Sequence, residues 1–228
     1  MFYKLIVTCE HGGNQIPAEF QACFLGNQSI LATHRGLDIG ALSAFEEMKK
    51  IADFSLYSET SRLLIELNRS LHHKNLFSEF TKNLSEQEKE RIIAQYYLPY
   101  RNAVEDKIRS FASKNHTVIH ISVHSFTPEL NGEIRNTDIG LLFDSRRKTE
   151  RGFCEKWKTN FSSISKDLRV RYNYPYLGKA DGFTTYLRKQ FKEADYLGIE
   201  LEINQRYFLE QRGKTIRFNL LKSLQTSL

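Results

Sequence analysis

The chain has 228 residues and a net charge of +6, and its apolar fraction of 40% is enough for one domain over 1–228 with a substantial core. Its mild positive charge does not by itself indicate nucleic acid, and Cys9, Cys23 and Cys154 are too widely spaced for a disulfide framework or a thiolate zinc site. No apolar run approaches the ~20 residues of a membrane span and no leader pattern opens the sequence, so we expect a cytoplasmic protein without membrane contact.

The elements predicted from hydrophobic periodicity alternate between strands and helices along the chain. The predicted strands are 3–9, 54–57, 63–67, 118–123, 139–143, 170–174 and 198–203. The predicted helices are 38–52, 85–114, 184–192 and 216–224, while 157–163 fits a helix or a loop. Ser85 and Glu88 form a capping box at the start of the long helix, and Pro99 predicts a kink or break in it. This order favours a three-layer α/β fold, phosphorylase/hydrolase-like, with a mostly parallel central sheet flanked by helices.

Two of the predicted strands lead into histidines. The strand 3–9 is followed by Glu10-His11-Gly12-Gly13, and the strand 118–123 is followed by His124. Open α/β sheets bind ligands at the carboxyl ends of their strands, and glycines there let the backbone turn sharply. We therefore expect His11 and His124 to share one metal ion. The alternative for each is a hydrogen-bonded structural histidine.

A third ligand is expected from His34 or Asp38. Their spacing of four residues places both on one helical face if the helix 38–52 begins early enough. Imidazole and carboxylate together are a common ligand set for catalytic zinc, with one position left open for water. The alternative for Asp38 is a plain helix N-cap, and the sequence leaves the choice between the two residues open.

The predicted strand 198–203 carries two acids, Glu200 and Glu202. Alternation along a strand places both on the same face. A central strand does not bury two acids unless they are paired or bind a metal, whereas an edge strand exposes them to solvent. The functional interpretation is a carboxylate that acts as general base on a water molecule.

Arginines surround these candidate residues in the sequence. Arg62 precedes the predicted strand 63–67, Arg69 follows it, and Arg135 comes after His124. Because arginine binds carboxylates in a bidentate manner, such a cluster suits a small anionic substrate, with ordinary surface charge as the alternative. The basic stretch 146–158 contains no phosphate loop or zinc-finger spacing, so we interpret it as a solvated face and expect no nucleic-acid partner.

Nine short motifs, in order across almost the whole chain, resemble the N-formylglutamate amidohydrolase family. Any one of them is weak, and the ordered set is fairly specific. The motifs are Glu10-His11-Gly12-Gly13-Asn14, Thr33-His34-Arg35-Gly36-Leu37-Asp38-Ile39-Gly40-Ala41, Ser61-Arg62, Glu66-Leu67-Asn68-Arg69, Tyr97-Leu98-Pro99-Tyr100, His124-Ser125-Phe126-Thr127-Pro128, Asp138-Ile139-Gly140, Asn173-Tyr174-Pro175-Tyr176 and Glu200-Leu201-Glu202-Ile203-Asn204-Gln205.

The resemblance implies a fold like that of the zinc carboxypeptidases and aspartoacylases, and hydrolysis of the amide of an N-acylated acidic amino acid by a metal-bound water. It implies one zinc ion held by His11 and His124 with Asp38 or His34. It also implies that Glu202, rather than Glu200, is the general base. Position 14, three residues after His11, is Asn14, so the His-x-x-Glu pair of the carboxypeptidases is missing here.

The remaining expectations concern the substrate. We expect one of the arginines to hold its carboxylate and one to donate to the amide oxygen, and we count Arg135 among the catalytic residues. The expected substrate-binding residues are Arg62, Asn68, Arg69, Ser125 and Asn173. The alternatives are a peptide or muramoyl amidase of related fold, an inactive relative that only binds ligand, and a nucleic-acid binder that uses 146–158.

Overall fold

The computed structural model describes residues 2–208, 210 and 212–228. Its strands are β1 (Tyr3–Cys9), β2 (Phe54–Tyr57), β3 (Thr117–Phe126), β4 (Glu129–Leu130), β5 (Glu133–Ile134), β6 (Ile139–Leu142), β7 (Val170–Tyr172) and β8 (Tyr196–Asn204). Its α-helices are α1 (Ala41–Met48), α2 (Glu86–Ile92), α3 (Leu98–Ala112), α4 (Lys148–Ile164), α5 (Phe183–Gln190) and α6 (Arg212–Ser227). Shorter helical segments of other types cover Ala18–Phe24, Gln28–Ala32, Lys49–Ile51, Ile93–Tyr97 and Gln205–Phe208.

The central sheet has six strands in the order β2-β1-β3-β8-β6-β7, and β4 and β5 form a separate small hairpin. The pairings β1–β2, β1–β3, β3–β8 and β6–β7 are parallel, and only the β6–β8 pairing in this sheet is antiparallel. Since β1, β3 and β8 run in the same direction, their carboxyl ends lie at one edge of the sheet, which is where these folds place their sites.

Helices cover both faces of this sheet. One core cluster joins α1, α4 and α6 to one face of the strands, through side chains such as Phe45, Trp157 and Leu220. The second cluster joins α2, α3 and α5 to the opposite face, through side chains such as Val104 and Phe183. The predicted three-layer α/β fold with a mostly parallel sheet is therefore confirmed.

Most of the predicted elements are present with shifted ends. The predicted strand 198–203 is the central strand β8, so an edge position for Glu200 and Glu202 is ruled out. The segment 157–163 belongs to the longer helix α4. The capping box of Ser85 and Glu88 is present, and the predicted helix 85–114 is interrupted by a π-helical turn at Ile93–Tyr97, just before Pro99. No helix in the described part of the chain is both long and apolar enough to cross a membrane.

The predicted strand at 63–67 is wrong. The segment forms turns: the amide of Leu64 donates to the carbonyl of Ser61, and the amide of Glu66 donates to that of Leu76. Leu64, Ile65 and Leu67 are buried in the second core cluster and Leu63 is also buried, which explains the apolar run. Burial alone produces such a run in a turn as well as in a strand, so periodicity cannot distinguish the two over five residues.

The predicted helix 38–52 begins later than expected. Helix α1 starts at Ala41, after Gly40 in the left-handed conformation with φ of 83°. A side chain at position 40 would also collide with the ring of Phe208. Both the positive φ and this close contact therefore require glycine. His34 lies exposed in the turn before the helix, and the expectation that His34 and Asp38 share a helical face is therefore wrong.

His120 is buried in the middle of β3. Its imidazole bonds to Thr8 Oγ1 and to the hydroxyl of Tyr196, both at 2.8 Å. Burial lowers the pKa of His120 to about 4, and Arg188 also lowers it, although the Glu10 carboxylate opposes the shift. Because an unfolded histidine has a pKa of about 6.5, the unfolded chain takes up a proton that the folded chain excludes as the pH falls from about 6.5 to about 4.

We expect the titration of His120 to lower the free energy of unfolding by about 2–3 kcal/mol as the pH falls from about 7 to about 4.5. The change is measured as the pH dependence of urea denaturation in the wild type and in His120→Gln, which lacks the titrating imidazole and should lose this part of the slope. Tyr196→Phe keeps the imidazole and is the matched control. A slope that is identical in wild type and His120→Gln would contradict a neutral buried histidine.

Candidate active site

Three segments bring His11, Asp38 and His124 together at the carboxyl edge of the sheet. His11 follows β1 by two residues, and its carbonyl accepts a hydrogen bond of 3.0 Å from the amide of Asp38, which fixes the turn before α1. His124 lies in β3 near its end. Because α1 begins only at Ala41, the carboxylate of Asp38 is not used as a helix cap and faces the two histidines instead.

Both imidazoles bond to the same oxygen atom. Asp38 Oδ2 lies 3.2 Å from His11 Nδ1 and 2.8 Å from His124 Nδ1, and the ring centroids of the two histidines are 5.0 Å apart. One ligand atom from each of the three buried residues lies within 4.8 Å of the others, so the group could hold a metal ion. Burial opposes ionisation of Asp38, but the charge of His11, hydrogen bonds from both histidines and the charge of Arg62 hold its pKa well below the usual value.

Each imidazole also has a carboxylate at its other nitrogen. His11 Nε2 bonds to Glu66 Oε1, and His124 Nε2 lies 3.3 Å from Glu10 Oε2. Although burial alone would lower the pKa of His124, its hydrogen bonds to Asp38 and Glu10 raise it well above the usual value. Each histidine is therefore fixed in orientation, with Nδ1 toward Asp38 and Nε2 toward an outer carboxylate.

Glu10 is held by further buried groups. Its carboxylate accepts hydrogen bonds from the hydroxyls of Ser122, at 2.6 Å, and Tyr100, at 3.1 Å. Burial opposes ionisation of Glu10, but His124 and Ser122 hold its pKa far below the usual range. A buried carboxylate with this many donors is stable as the anion.

Arg62 links the two acids that contact His11. Its Nη1 donates to Asp38 Oδ1 at 3.0 Å, and its Nε donates to Glu66 Oε2 at 2.9 Å. Partial burial would lower the pKa of Arg62, but these carboxylates raise it, and the pKa of Glu66 is lowered in turn. The charges of Asp38, Glu66 and Arg62 thus compensate each other next to the histidines.

Glu202 lies directly across from His124 in the parallel pairing of β3 and β8. Its Oε2 atom is buried, and no described residue forms a hydrogen bond with it. The pKa of this carboxyl is raised to about 8, because burial and the nearby acids Asp38 and Glu200 together outweigh the opposing charge of His124. A carboxyl group with a pKa close to neutrality can take up and release a proton under ordinary conditions.

These groups line a cavity of about 310 Å³. Of the predicted site residues, the lining includes the histidine–aspartate group, Glu202 and four substrate-binding candidates, three from the segment 62–69 and Ser125 from β3. The lining residues are His11, Asp38, Arg62, Asn68, Arg69, His124, Ser125, Tyr176, Leu177, Ala180, Asp181, Glu200 and Glu202.

Three predicted site residues lie elsewhere. His34 is exposed, since the helix that was to orient it begins seven residues later. Arg135 contacts Tyr176 instead, with the guanidinium 5.3 Å from the ring centroid and Nη1 3.3 Å from the hydroxyl. Asn173 has φ of 50°, and its side-chain oxygen accepts hydrogen bonds from the amides of Phe143 and Gly178, so it stabilises a turn.

Sequence reasoning gave no role to Glu10, Glu66 or Asp181. Glu66 occurs in a run of apolar residues, and an acid that is buried with such a run needs a charged or hydrogen-bonded partner. That signal was available for Glu66, and the proximity of Glu10 to His11 in the sequence gave a weaker one. Asp181 lies in a loop without regular spacing, so its place in the cavity lining was not predictable.

The fold and the cavity define an α/β protein with an enzyme-type site at the carboxyl ends of its strands, built from buried imidazoles and carboxylates. Residues 3–209 match the sequence model of the N-formylglutamate amidohydrolase family. The chain belongs to this family, and it is accordingly a hydrolase of a linear amide C–N bond. A comparison with curated proteins found no significant match.

Two solved structures share the fold over nearly the whole chain. A gene product from Agrobacterium tumefaciens superposes with a TM-score of 0.79 at 22% sequence identity, over 98% of this chain and 91% of that chain. An N-formylglutamate amidohydrolase from Ralstonia eutropha superposes with a TM-score of 0.73 at 16% identity, over 99% of this chain and 93% of that chain. At these identities the structures support the fold alone.

The charge of Arg62 should be essential for stability. Arg62→Met leaves the buried carboxylates of Asp38 and Glu66 without their cation, and we expect the free energy of unfolding of chelator-treated protein to fall by about 3 kcal/mol or more. The control is Arg35→Met, which breaks the exposed pair of Arg35 and Glu79 and should cost less than about 1 kcal/mol. Equal small losses in both variants, measured by urea denaturation, would contradict the charge balance described for the site.

Proposed function

We propose that this protein is a metal-dependent amidohydrolase that cleaves the amide of an N-acyl amino acid, with N-formyl amino acids such as N-formylglutamate as the first candidates. The observation that carries the proposal is the buried His–Asp–His group, which lines a cavity of about 310 Å³ together with Glu202. The family to which the chain belongs supports the reaction class.

The residues at this site fit a zinc ion. Two imidazole nitrogens and a carboxylate oxygen are the ligand types that catalytic zinc takes from proteins. Zinc-binding histidines usually donate their second ring nitrogen to a carboxylate, and Glu66 and Glu10 stand at that nitrogen of His11 and His124. The Nδ1 atoms of both histidines and a carboxylate oxygen of Asp38 would therefore hold the ion. When bound, such an ion polarises a carbonyl oxygen and lowers the pKa of water.

Glu202 is the proposed general base. Its Oε2, to which no described residue is hydrogen-bonded, can accept a proton from water, and its raised pKa lets the protonated carboxyl pass that proton to the leaving amine. Burial on the central strand keeps the carboxyl in one orientation during both transfers.

Arg62 and Arg69 are given different roles. Three N–H bonds of Arg62 are engaged by Asp38 and Glu66, so its two remaining N–H bonds can donate to the amide oxygen as negative charge develops there. Arg69 donates to the backbone oxygen of Asp181 and forms no ion pair with a described residue, so we assign it to the carboxylate of the substrate. Ser125 lines the cavity in a fixed orientation, because its hydroxyl donates a hydrogen bond to the carbonyl of Ile39.

Hydrolysis assays on zinc-loaded protein test the reaction class. The panel contains N-formyl and N-acetyl amino acids, peptidyl amides and muramoyl amides, with release of the free amine as the readout. We expect turnover with N-acyl amino acids. Turnover confined to peptides or muramoyl compounds would contradict the proposed substrate, and an inert, metal-free protein would favour a ligand-binding relative.

Metal binding should depend on both the ligands and the outer carboxylates. We expect His124→Ala to lose stoichiometric zinc and activity together, and Glu10→Gln to weaken zinc binding by about 10–100-fold. Zinc content is measured by elemental analysis, and affinity by competition with a chelator. His72→Ala, which removes an exposed imidazole, is the control. Full zinc content and full activity in His124→Ala would refute the assignment.

Glu202→Gln should separate metal binding from turnover. The amide keeps the shape of the side chain but cannot accept the proton, so we expect unchanged zinc content and a kcat about 10²–10⁴ times lower. The control is Glu129→Gln, which changes an exposed acid of the β4–β5 hairpin. A kcat for Glu202→Gln equal to that of the control would exclude Glu202 as the base.

A further inference from the structure

A second cavity, of about 320 Å³, shares the loop 176–181 with the catalytic cavity. Leu177 and Ala180 of this loop line the catalytic cavity, whereas Lys179 lines the second one, and no residue lines both. Three segments of the chain bring five cations to the second cavity, and we call it the basic cavity. These cations are Arg146, Arg147, Lys179, Arg188 and Lys189.

Two of these cations are largely buried and share one carboxylate. The side chain of Arg188 is 6% exposed and that of Glu150 is fully buried. Glu150 Oε1 accepts a hydrogen bond of 2.9 Å from Arg188 Nε and lies 3.4 Å from Arg147 Nη1. The carbonyls of Gly178 and Gly198 each accept a hydrogen bond of 2.6 Å from Arg188, which fixes its guanidinium in place. One carboxylate compensates only one of the two guanidinium charges.

The two lysines of the basic cavity form no ion pair with a described residue. Lys179 comes from the shared loop and Lys189 from the end of α5, and both are exposed. Arg146, in contrast, is paired with Asp144 at 2.7 Å. When Asp144 and Glu150 are both counted against the five cations, an excess of three positive charges is left at the basic cavity.

A further acid, Glu193, lies close enough to affect this balance. It accepts a hydrogen bond of 2.8 Å from the amide of Thr149 at the start of α4, and it lines a different cavity. Counting it as well still leaves an excess of two positive charges. Lys156 lines that other cavity too, and Lys158 lies 4.5 Å from the centroid of the ring of Tyr172. The basic residues of α4 therefore do not form one continuous face with the basic cavity.

We propose that the basic cavity binds a small compound through a phosphate or diphosphate group. A phosphate monoester carries up to two negative charges and three strong acceptor oxygens, which matches an excess of two to three positive charges. A single carboxylate would compensate only one of them. Guanidinium and ammonium groups are the usual protein partners of phosphate, and the volume lies at the lower end of the range for small-molecule sites. This inference goes beyond the proposed function and does not depend on it.

Isothermal titration calorimetry on the full chain tests the proposal. Inorganic phosphate is titrated into zinc-loaded and into chelator-treated protein. Diphosphate is titrated into chelator-treated protein alone, because it would itself extract zinc. We expect both anions to bind in the absence of zinc, and we expect a dissociation constant below about 1 mM for diphosphate.

Two double variants distinguish the basic cavity from general surface charge. Lys179→Gln combined with Lys189→Gln removes two ammonium groups of the cavity and should weaken diphosphate binding by at least about 10-fold, because charge-assisted hydrogen bonds are lost. Lys156→Gln combined with Lys166→Gln removes the same charge from exposed positions outside the basic cavity. This control should change the affinity by less than about 3-fold, because salt screens distant exposed charges.

Three results would overturn the proposal. The site does not exist if neither anion binds, or if the two double variants lose affinity equally. Binding that requires zinc, or that is lost in Arg69→Met, would place the anion in the catalytic cavity. A short single-stranded oligonucleotide that binds more tightly than diphosphate at the same salt concentration would indicate a nucleic-acid surface instead. The proposed hydrolase function stands in each case, since its assays concern the other cavity.

Discussion

A single carboxylate oxygen joins the two histidines at the carboxyl edge of the sheet, and the architecture around it follows from keeping that contact buried. Asp38 Oδ2 bonds to both Nδ1 atoms because α1 starts only after Gly40, and because His11 follows β1 while His124 lies near the end of the adjacent parallel strand β3. Burying these charges is costly unless each is compensated, which accounts for Arg62. Both Nδ1 atoms therefore face the same point beside Asp38, and a metal site requires ligand atoms that are oriented in this way.

The fold was largely predictable from sequence. Apolar runs predicted β1 and β3 as buried strands, and alternation predicted β8, for which an edge position was left open. The parallel order of these strands brings His11, His124 and Glu202 to one edge. The alternation along β8 placed Glu200 and Glu202 on one face, and both line the cavity. These features depend on the alternation of side chains along a strand and on the residues at strand ends, and both can be read from the sequence. The catalytic and ligand roles of these residues remain predictions.

The parts that were not predictable lie in turns and in pairings distant along the chain. The segment 63–67 is apolar because it is buried, but its backbone hydrogen bonds are those of turns. Composition alone could not distinguish such a segment from a strand. The shift of α1 depends on Gly40 facing Phe208, a contact across more than half of the chain. Glu10 contacts His124 and Glu66 contacts His11 only in the folded chain, since each pair is far apart in sequence. The contact of Arg135 with Tyr176 is likewise not visible in any local sequence pattern.

The most direct test of the shared-oxygen arrangement is a crystal of the protein soaked in zinc, with anomalous density measured at the zinc edge. The account predicts one strong peak at about 2.0–2.2 Å from Nδ1 of His11, Nδ1 of His124 and a carboxylate oxygen of Asp38. Glu66 and Glu10 should still bond to the two Nε2 atoms. Imidazoles that turn away from each other, or density confined to other parts of the molecule, would contradict it.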